Sequence, residues 1–218
     1  EDGIRDSVAS RGLGDVYKRQ EWAPHRATWI AWPHNKSDWP GKLQSIRWWY
    51  VDFERHLAAV ERVAIVIRSE AERRQAFRLL AKAGVSRDRL EAHLFPTNRS
   101  WLRDTGGTFV LHRTDHATEL ALATIDWHFN GWSKYPDWSA DDQLPTRIAT
   151  ELQLKRITPR LQQPARTMVL EGGSIDVNGK GVALATEQCL LDTKVQPRNP
   201  GLGRSATCLL YTSDAADE

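Results

Sequence analysis

Cysteine is nearly absent. Two in 218 residues cannot build a disulfide framework, so a reducing, cytoplasmic setting is expected. No apolar run approaches the roughly 20 residues a membrane span needs, and the opening residues carry no charged-then-apolar secretory pattern. Charge of one sign does not cluster either. With 30 basic and 28 acidic residues, a net +2, the chain argues for neither a nucleic-acid nor a membrane partner. A phosphate loop, a dinucleotide fingerprint and a G-x-S-x-G elbow are all missing. The remaining composition, 40% hydrophobic and 27% charged, is that of a globular protein and excludes a collagen, a coiled coil or a wholly disordered chain.

What the chain has in excess is tryptophan. All ten lie between Trp22 and Trp138. Such a concentration suggests aromatic walls around something flat or cationic, or a tryptophan-rich core; composition alone favours neither.

The two ends read as foreign. Residues 1–20, ending DVYKRQ, and residues 208–218, CLLYTSDAADE, each back-translate into a continuous string resembling a sequencing-library adaptor. Both are expected to be adaptor-derived, leaving residues 21–207 as a partial domain cut by the sequencing read. That stretch holds 26 basic and 21 acidic residues, with Cys189 its one cysteine.

Within it, strand and helix patterns alternate. ATWIAWP (27–33) and RVAIVIR (62–68) are β-type runs, as are RLEAHLFP (89–96), GTFVLHR (107–113) and LALATIDWHF (120–129). Ile46, Trp49, Tyr50, Phe53, Leu57 and Val60 recur at helical steps and predict one apolar face. Ser69 is placed to cap a second helix that stops at Gly84. ADDQLPTRIATELQL predicts a third helix, and TMVLEGGSIDVNGKGVALAT two strands joined at Asn178-Gly179. The fold class is therefore α/β or α+β, as a single domain without long linkers.

Three segments can carry chemistry. In TNRSWLRDTGG (97–107), Trp101 and Asp104 stand three apart between two predicted strands. A carboxylate beside an indole face suits a planar cation; an ion pair of Asp104 with Arg103 or Arg99, beside a core tryptophan, fits equally well. In LEGGSIDVNG (170–179), Glu171 ends a strand before Gly172-Gly173, where backbone can approach a ligand closely. That placement suits an acid, a base or a cation ligand, or merely a bulge with an exposed glutamate. DWHFNGWSKYPDW (126–138) forms a pocket wall or a loop packed on the sheet. His112, Asp115 and His116 lack a further ligand and argue against zinc. Cys189 reads as a buried structural cysteine, not a nucleophile.

EWAPHRATWIAWPHNKSDWPG, PTNRSWLRDTGGTFV, DWHFNGWSKYPDW, VLEGGSIDVNGKG and TEQCLLDTKVQPRNPGL together closely resemble the agmatine deiminases of the bacterial peptidyl-arginine deiminase family, from Glu21 to about Arg204. The resemblance implies a partial pentein, roughly the first half of an α/β propeller of ββαβ-type modules. It implies hydrolysis of agmatine to N-carbamoylputrescine and ammonia, a step toward putrescine, through a covalent cysteine intermediate and without metal or organic cofactor. By the same resemblance Asp104 grips the guanidinium with Trp101 against it. Glu171 binds the guanidinium or orients the catalytic histidine. The family's G-H-x-D segment and late Gly-Gly-Asn-type cysteine segment do not occur in these residues, and Cys189 matches neither, so the chain alone is expected to be inactive. Half a propeller would also expose an unpaired face prone to aggregation. Gly107 departs from the family's usual proline, which predicts a looser turn behind Asp104. A homo-oligomer of the full-length enzyme stays open. So do two rival readings, a deiminase of peptide-terminal arginine and a noncatalytic tryptophan-walled module for sugars or quaternary amines.

Overall fold

A computed structural model describes residues 16–17, 22–113, 120–161, 166–179, 182–204 and 207. Most of the two adaptor-like ends, together with Asp115 and His116, lies outside the described residues. In chain order the strands and helices are β1 (Val16–Tyr17), β2 (Ala27–Ala31), α1 (Leu43–Val60), β3 (Arg62–Ile67), α2 (Glu70–Lys82), β4 (Leu90–Leu94), α3 (Leu102–Thr105), β5 (Thr108–Arg113), β6 (Leu120–Ile125), α4 (Ser139–Asp142), α5 (Leu144–Glu151), β7 (Lys155–Ile157), β8 (Arg160–Leu161), β9 (Arg166–Thr167), β10 (Ile175–Val177), β11 (Ala183–Ala185) and α6 (Glu187–Leu191). The chain divides into two compact units, one of Pro24–Leu102 with Asp137–Leu144, the other built mainly from Arg103–Pro136 and the residues from Pro145 on. No helix among the described residues is long and apolar enough to cross a membrane.

The first unit is a parallel three-stranded sheet in the order β2-β3-β4. β3 is buried along Val63–Ile67, as its β-branched run requires of a central parallel strand. Ser69 caps α2 as expected, its hydroxyl accepting the Glu72 amide at 3.2 Å. Gly84 closes the helix at φ +81°, a left-handed value that glycine adopts without strain. The predicted apolar face of α1 is corrected. Tyr50 and Leu57 of that face do pack against the core, but the fully buried residues are Val51, Glu54 and Ala58, and Trp49, Phe53 and Val60 are exposed. Trp49 and Phe53 stack on each other with centroids 5.3 Å apart. Apolar residues ring much of α1, and the Val51–Glu54–Ala58 side is the one that packs most closely.

The second unit holds a four-stranded sheet, β1-β5-β6-β7, and two short hairpins, β8-β9 and β10-β11. Its core gathers Val110, Ala123, Ile125, Trp127, Met168 and Leu170. Three sequence expectations need correction. The predicted 120–129 strand ends at Ile125, where buried Asp126 turns away, its carboxylate held by Thr146 at 3.0 Å and Arg156 at 2.9 Å. The third helix is broken into α4 and α5, because Pro145 brings no amide to an uninterrupted ladder and fits the first turn of a new helix. The last hairpin starts at Ile175 rather than near Met168, and its loop is longer than Asn178-Gly179, since the Val182 amide closes onto the Asn178 side chain at 3.2 Å.

Candidate functional site

Asp104 and Glu171 are brought together in the second unit, although 67 residues separate them in sequence. Asp104 sits in the single turn of α3, just before β5. Glu171 follows Val169, which forms an isolated parallel bridge with His128, and precedes a tight turn over Gly172–Ser174. The two glycines work as the sequence suggests, but the approach they permit is to the protein itself. A Cβ on Gly172 would stand 2.5 Å from the Arg103 carbonyl oxygen, and one on Gly173 would overlap Asp104 Oδ1. Without those side chains the Gly173 amide reaches the Asp104 carboxylate and donates to it.

Glu171 is not the exposed glutamate of a bulge. It is 3% exposed and pairs with Arg198, whose Nε donates to Oε1 at 3.1 Å. Its own carbonyl accepts the Ser174 amide at 2.9 Å and hydroxyl at 2.7 Å, which fixes the backbone at that point. Burial pushes the Glu171 carboxyl above its ordinary range, and Arg198 draws it back down while neighbouring Asp104 adds to the rise. Burial likewise raises Asp104, opposed by the Gly173 amide, the Trp132 indole N–H, Arg103 and Arg198.

Trp132 is the member of the tryptophan-rich loop that reaches a carboxylate. It holds φ 58° and the next residue, Ser133, φ 53°. Left-handed backbone at two successive non-glycine residues costs about 1–3 kcal/mol each and persists only where neighbours enforce it. They do so here. Asn130 Oδ1 accepts the Ser133 amide at 3.0 Å, and its Nδ2 donates to Ser133 Oγ at 2.9 Å. Ser133 Oγ in turn donates to the Pro197 carbonyl at 2.7 Å. Phe129 and Tyr135 flank the Trp132 ring edge-on, at 4.9 and 5.9 Å. Beside this cluster an open hollow of about 250 Å³ is lined by Arg103, Gly172, Gly173, Ile175 and Asp176.

Trp101 belongs to the first unit, where its ring lies 5.2 Å from Trp39 and its indole N–H donates to Asp38. Arg99, buried, pairs with Asp38 and with Asp137 at 2.8 Å, so the guanidinium considered for Asp104 is engaged by other carboxylates. The 97–101 loop is fastened reciprocally to α4. Asp141 accepts the amides of Asn98 at 2.7 Å and Arg99 at 3.1 Å, while the Asn98 side chain accepts the Ala140 amide at 2.8 Å. Burial raises Asp141 to about 6 despite those two amides.

Cys189 is half-buried rather than buried, because α6 turns Leu190 into the core beside it. His112 is buried on β5. Among the described residues no cluster of three or more His, Cys, Asp or Glu can hold a metal ion. The turn behind Asp104 is not empty at Gly107: a Cβ there would overlap Thr124 Oγ1, so buried Thr124 occupies the space a larger residue would need. Arg198 was not among the residues singled out from sequence. Its one local hint is the polar Arg198-Asn199 pair between Pro197 and Pro200.

Residues 17–208 match the model of the Porphyromonas-type peptidyl-arginine deiminase family. The chain is 36% identical over 196 residues to the agmatine deiminase of Medicago truncatula, an alignment covering 85% of this chain and 47% of that protein. With the agmatine deiminase of Stutzerimonas stutzeri (strain A1501) it shares 31% over 193 residues, covering 86% and 47%. Among solved structures, the agmatine deiminase of Enterococcus faecalis superposes with a TM-score of 0.75 at 24% identity, covering 94% of this chain and 52% of that one. A substrate-bound agmatine deiminase of C. jejuni gives 0.70 at 25%, covering 88% and 51%. These likenesses show the pentein fold. The chain spans about half the length of the relatives it matches.

Proposed function

Because the chain belongs to the Porphyromonas-type peptidyl-arginine deiminase family, we propose that it carries the guanidinium-binding carboxylates of an agmatine deiminase. The observation that supports this most is the convergence of half-buried Asp104 and buried Glu171, two carboxylates from distant segments, in one cluster. Asp104 grips the guanidinium nitrogens of agmatine through charge-assisted hydrogen bonds. The resemblance also assigns Trp101 an aromatic role toward the planar cation. Glu171 supplies the second carboxylate, binding the guanidinium or orienting the histidine.

In the reaction a thiolate adds to the guanidinium carbon, the C–N bond breaks and ammonia leaves. Water then attacks the amidino-thioether carbon, releasing N-carbamoylputrescine and the thiol. The overall balance is agmatine plus water to N-carbamoylputrescine plus ammonia. Cys189 is not the thiol in this reading: it lies on α6, packed beside the core residue Leu190. In this reading neither the thiol nor the histidine is among these 218 residues, and the chain by itself binds without turning over.

The test is to follow the source reading frame past residue 207 and assay the complete product for ammonia release from agmatine. Continuation into a G-H-x-D and a late Gly-Gly-Asn…Cys segment, with release abolished by Asp104→Asn, supports the proposal. A frame that closes without them overturns hydrolysis and leaves the ligand-binding module as the better reading.

A further inference from the structure

We infer that Arg198 is a positioning residue of this site: an internal counter-ion that fixes Glu171 and allows it and Asp104 to stay ionised side by side. The inference rests on the proposed function for its meaning in the reaction, but its physical content can be tested separately.

Arg198 and Glu171 are both almost fully buried, and the 3.1 Å bond from Nε to Oε1 joins segments 27 residues apart. The guanidinium is held at its other end too, Nη1 donating to the Gln196 carbonyl at 3.0 Å and to Gln196 Oε1 at 3.2 Å. The next residue staples the same two segments. Asn199 Nδ2 donates to the Val169 carbonyl at 2.8 Å, and Asn199 Oδ1 accepts the Val169 amide at 3.0 Å. A side-chain amide thus stands in for a strand partner two residues before Glu171. On its far side the segment receives Ser133 Oγ at the Pro197 carbonyl, beside the Trp132 that donates to Asp104. Residues 196–199 therefore connect to the segment that carries Glu171 and to the loop whose Trp132 donates to Asp104.

The charge arithmetic explains why an arginine is needed there. Two carboxylates that share a desolvated site hinder each other's ionisation, and a cation between them offsets the repulsion. The charged groups facing the pair are Arg198, which acts on both, and Arg103, which acts on Asp104. Lysine would keep the charge but not the fork that reaches Glu171 and Gln196 together.

The experiment follows the side-chain carboxyl carbons of Glu171 and Asp104 by NMR from pH 3 to 9 in the 218-residue chain. Wild type, Arg198→Lys and Arg198→Met are compared, with agmatine titrations at pH 7. In Arg198→Met the upper midpoint of the coupled pair rises by more than about one pH unit, and agmatine affinity falls at least tenfold. Arg198→Lys lies between. An unchanged midpoint in Arg198→Met overturns the inference. Should the wild-type chain fail to bind agmatine while the midpoint still moves, the deiminase reading is contradicted and the role of Arg198 stands. If Arg198→Met does not fold, the double variant Arg198→Met/Glu171→Gln decides. Recovery of folding supports a counter-ion, whereas loss in both means that Arg198 acts only through packing.

Discussion

Replacing Gly172 by alanine isolates the close approach on which the candidate site depends. Its φ is not left-handed, so the substitution introduces no backbone strain of its own. What it introduces is a Cβ 2.5 Å from the Arg103 carbonyl oxygen, where ordinary contact begins near 3.4 Å. The obstacle is backbone and cannot rotate away, so one segment must retreat by nearly 1 Å, a displacement borne by the residue adjoining Asp104. Overpacking of this kind costs about 1–3 kcal/mol, which for a chain of this length lowers the melting temperature by about 2–12 °C. A displacement near 1 Å costs on the order of a hundredfold in rate at a reacting constellation, and the same misplacement lengthens the hydrogen bonds Asp104 offers a guanidinium. Agmatine affinity, measured by calorimetry, is expected to fall far more than stability alone explains. Gly203→Ala is the control: nothing lies within 4 Å of its Cβ, and both readouts are expected to stay within about 0.5 kcal/mol of wild type. A Gly172→Ala protein that melts and binds like Gly203→Ala would refute the reasoning.

Three further outcomes are expected. Gly107→Ala destabilises by about 1–3 kcal/mol, and Thr124→Ala in the same chain recovers part of the loss, because the new methyl group and Thr124 Oγ1 compete for one space; a double-mutant cycle in urea measures the coupling. Glu54, buried with no hydrogen-bond partner on either oxygen among the described residues, has its carboxyl raised by burial to about 8 from 4.5. Its folded form is thus protonated where the unfolded chain is already ionised, and wild-type stability falls as pH rises from 4.5 to 8, with a limiting slope of about 1.4 kcal/mol per unit. Glu54→Met removes that slope, so melting temperatures of the two proteins diverge at pH 8 and approach each other near pH 4.5. His34 behaves oppositely. Burial first, then Arg68, lowers it to about 4 from 6.5, and its Nε2 lies 2.8 Å from Thr97 Oγ1. The stability it lends is intact above pH 6.5 and is lost as pH falls toward 4, and the His34 ring protons in an NMR titration report the midpoint.

Local signals carried the sequence reading where local physics decides structure. The Ser69 cap, the Gly84 stop and the β-branched run of β3 each depend on a few neighbouring residues, and each appears where the pattern places it. Pro145 was an equally local signal, yet the acidic start and apolar spacing around it masked the break between α4 and α5. The periodicity of α1 gives the helix and two residues of its packed face, Tyr50 and Leu57, but not the burial of Val51, Glu54 and Ala58, because aromatic residues cover two sides and tertiary packing selects one. At the site, Asp104 and Glu171 were legible as carboxylates in glycine-rich loops. Arg198 was not, since its significance lies wholly in a partner 27 residues away and in no periodicity of its own. Trp132 was visible only as one of three tryptophans in its loop. What distinguishes it is a left-handed backbone held by Asn130 and Ser133.

The central claim is that Asp104 receives a guanidinium cation, and calorimetric titration of agmatine into the 218-residue chain tests it most directly. The account predicts saturable one-to-one binding that disappears in Asp104→Asn and is not reproduced by choline. Equal binding by Asp104→Asn, or a preference for choline, would contradict it.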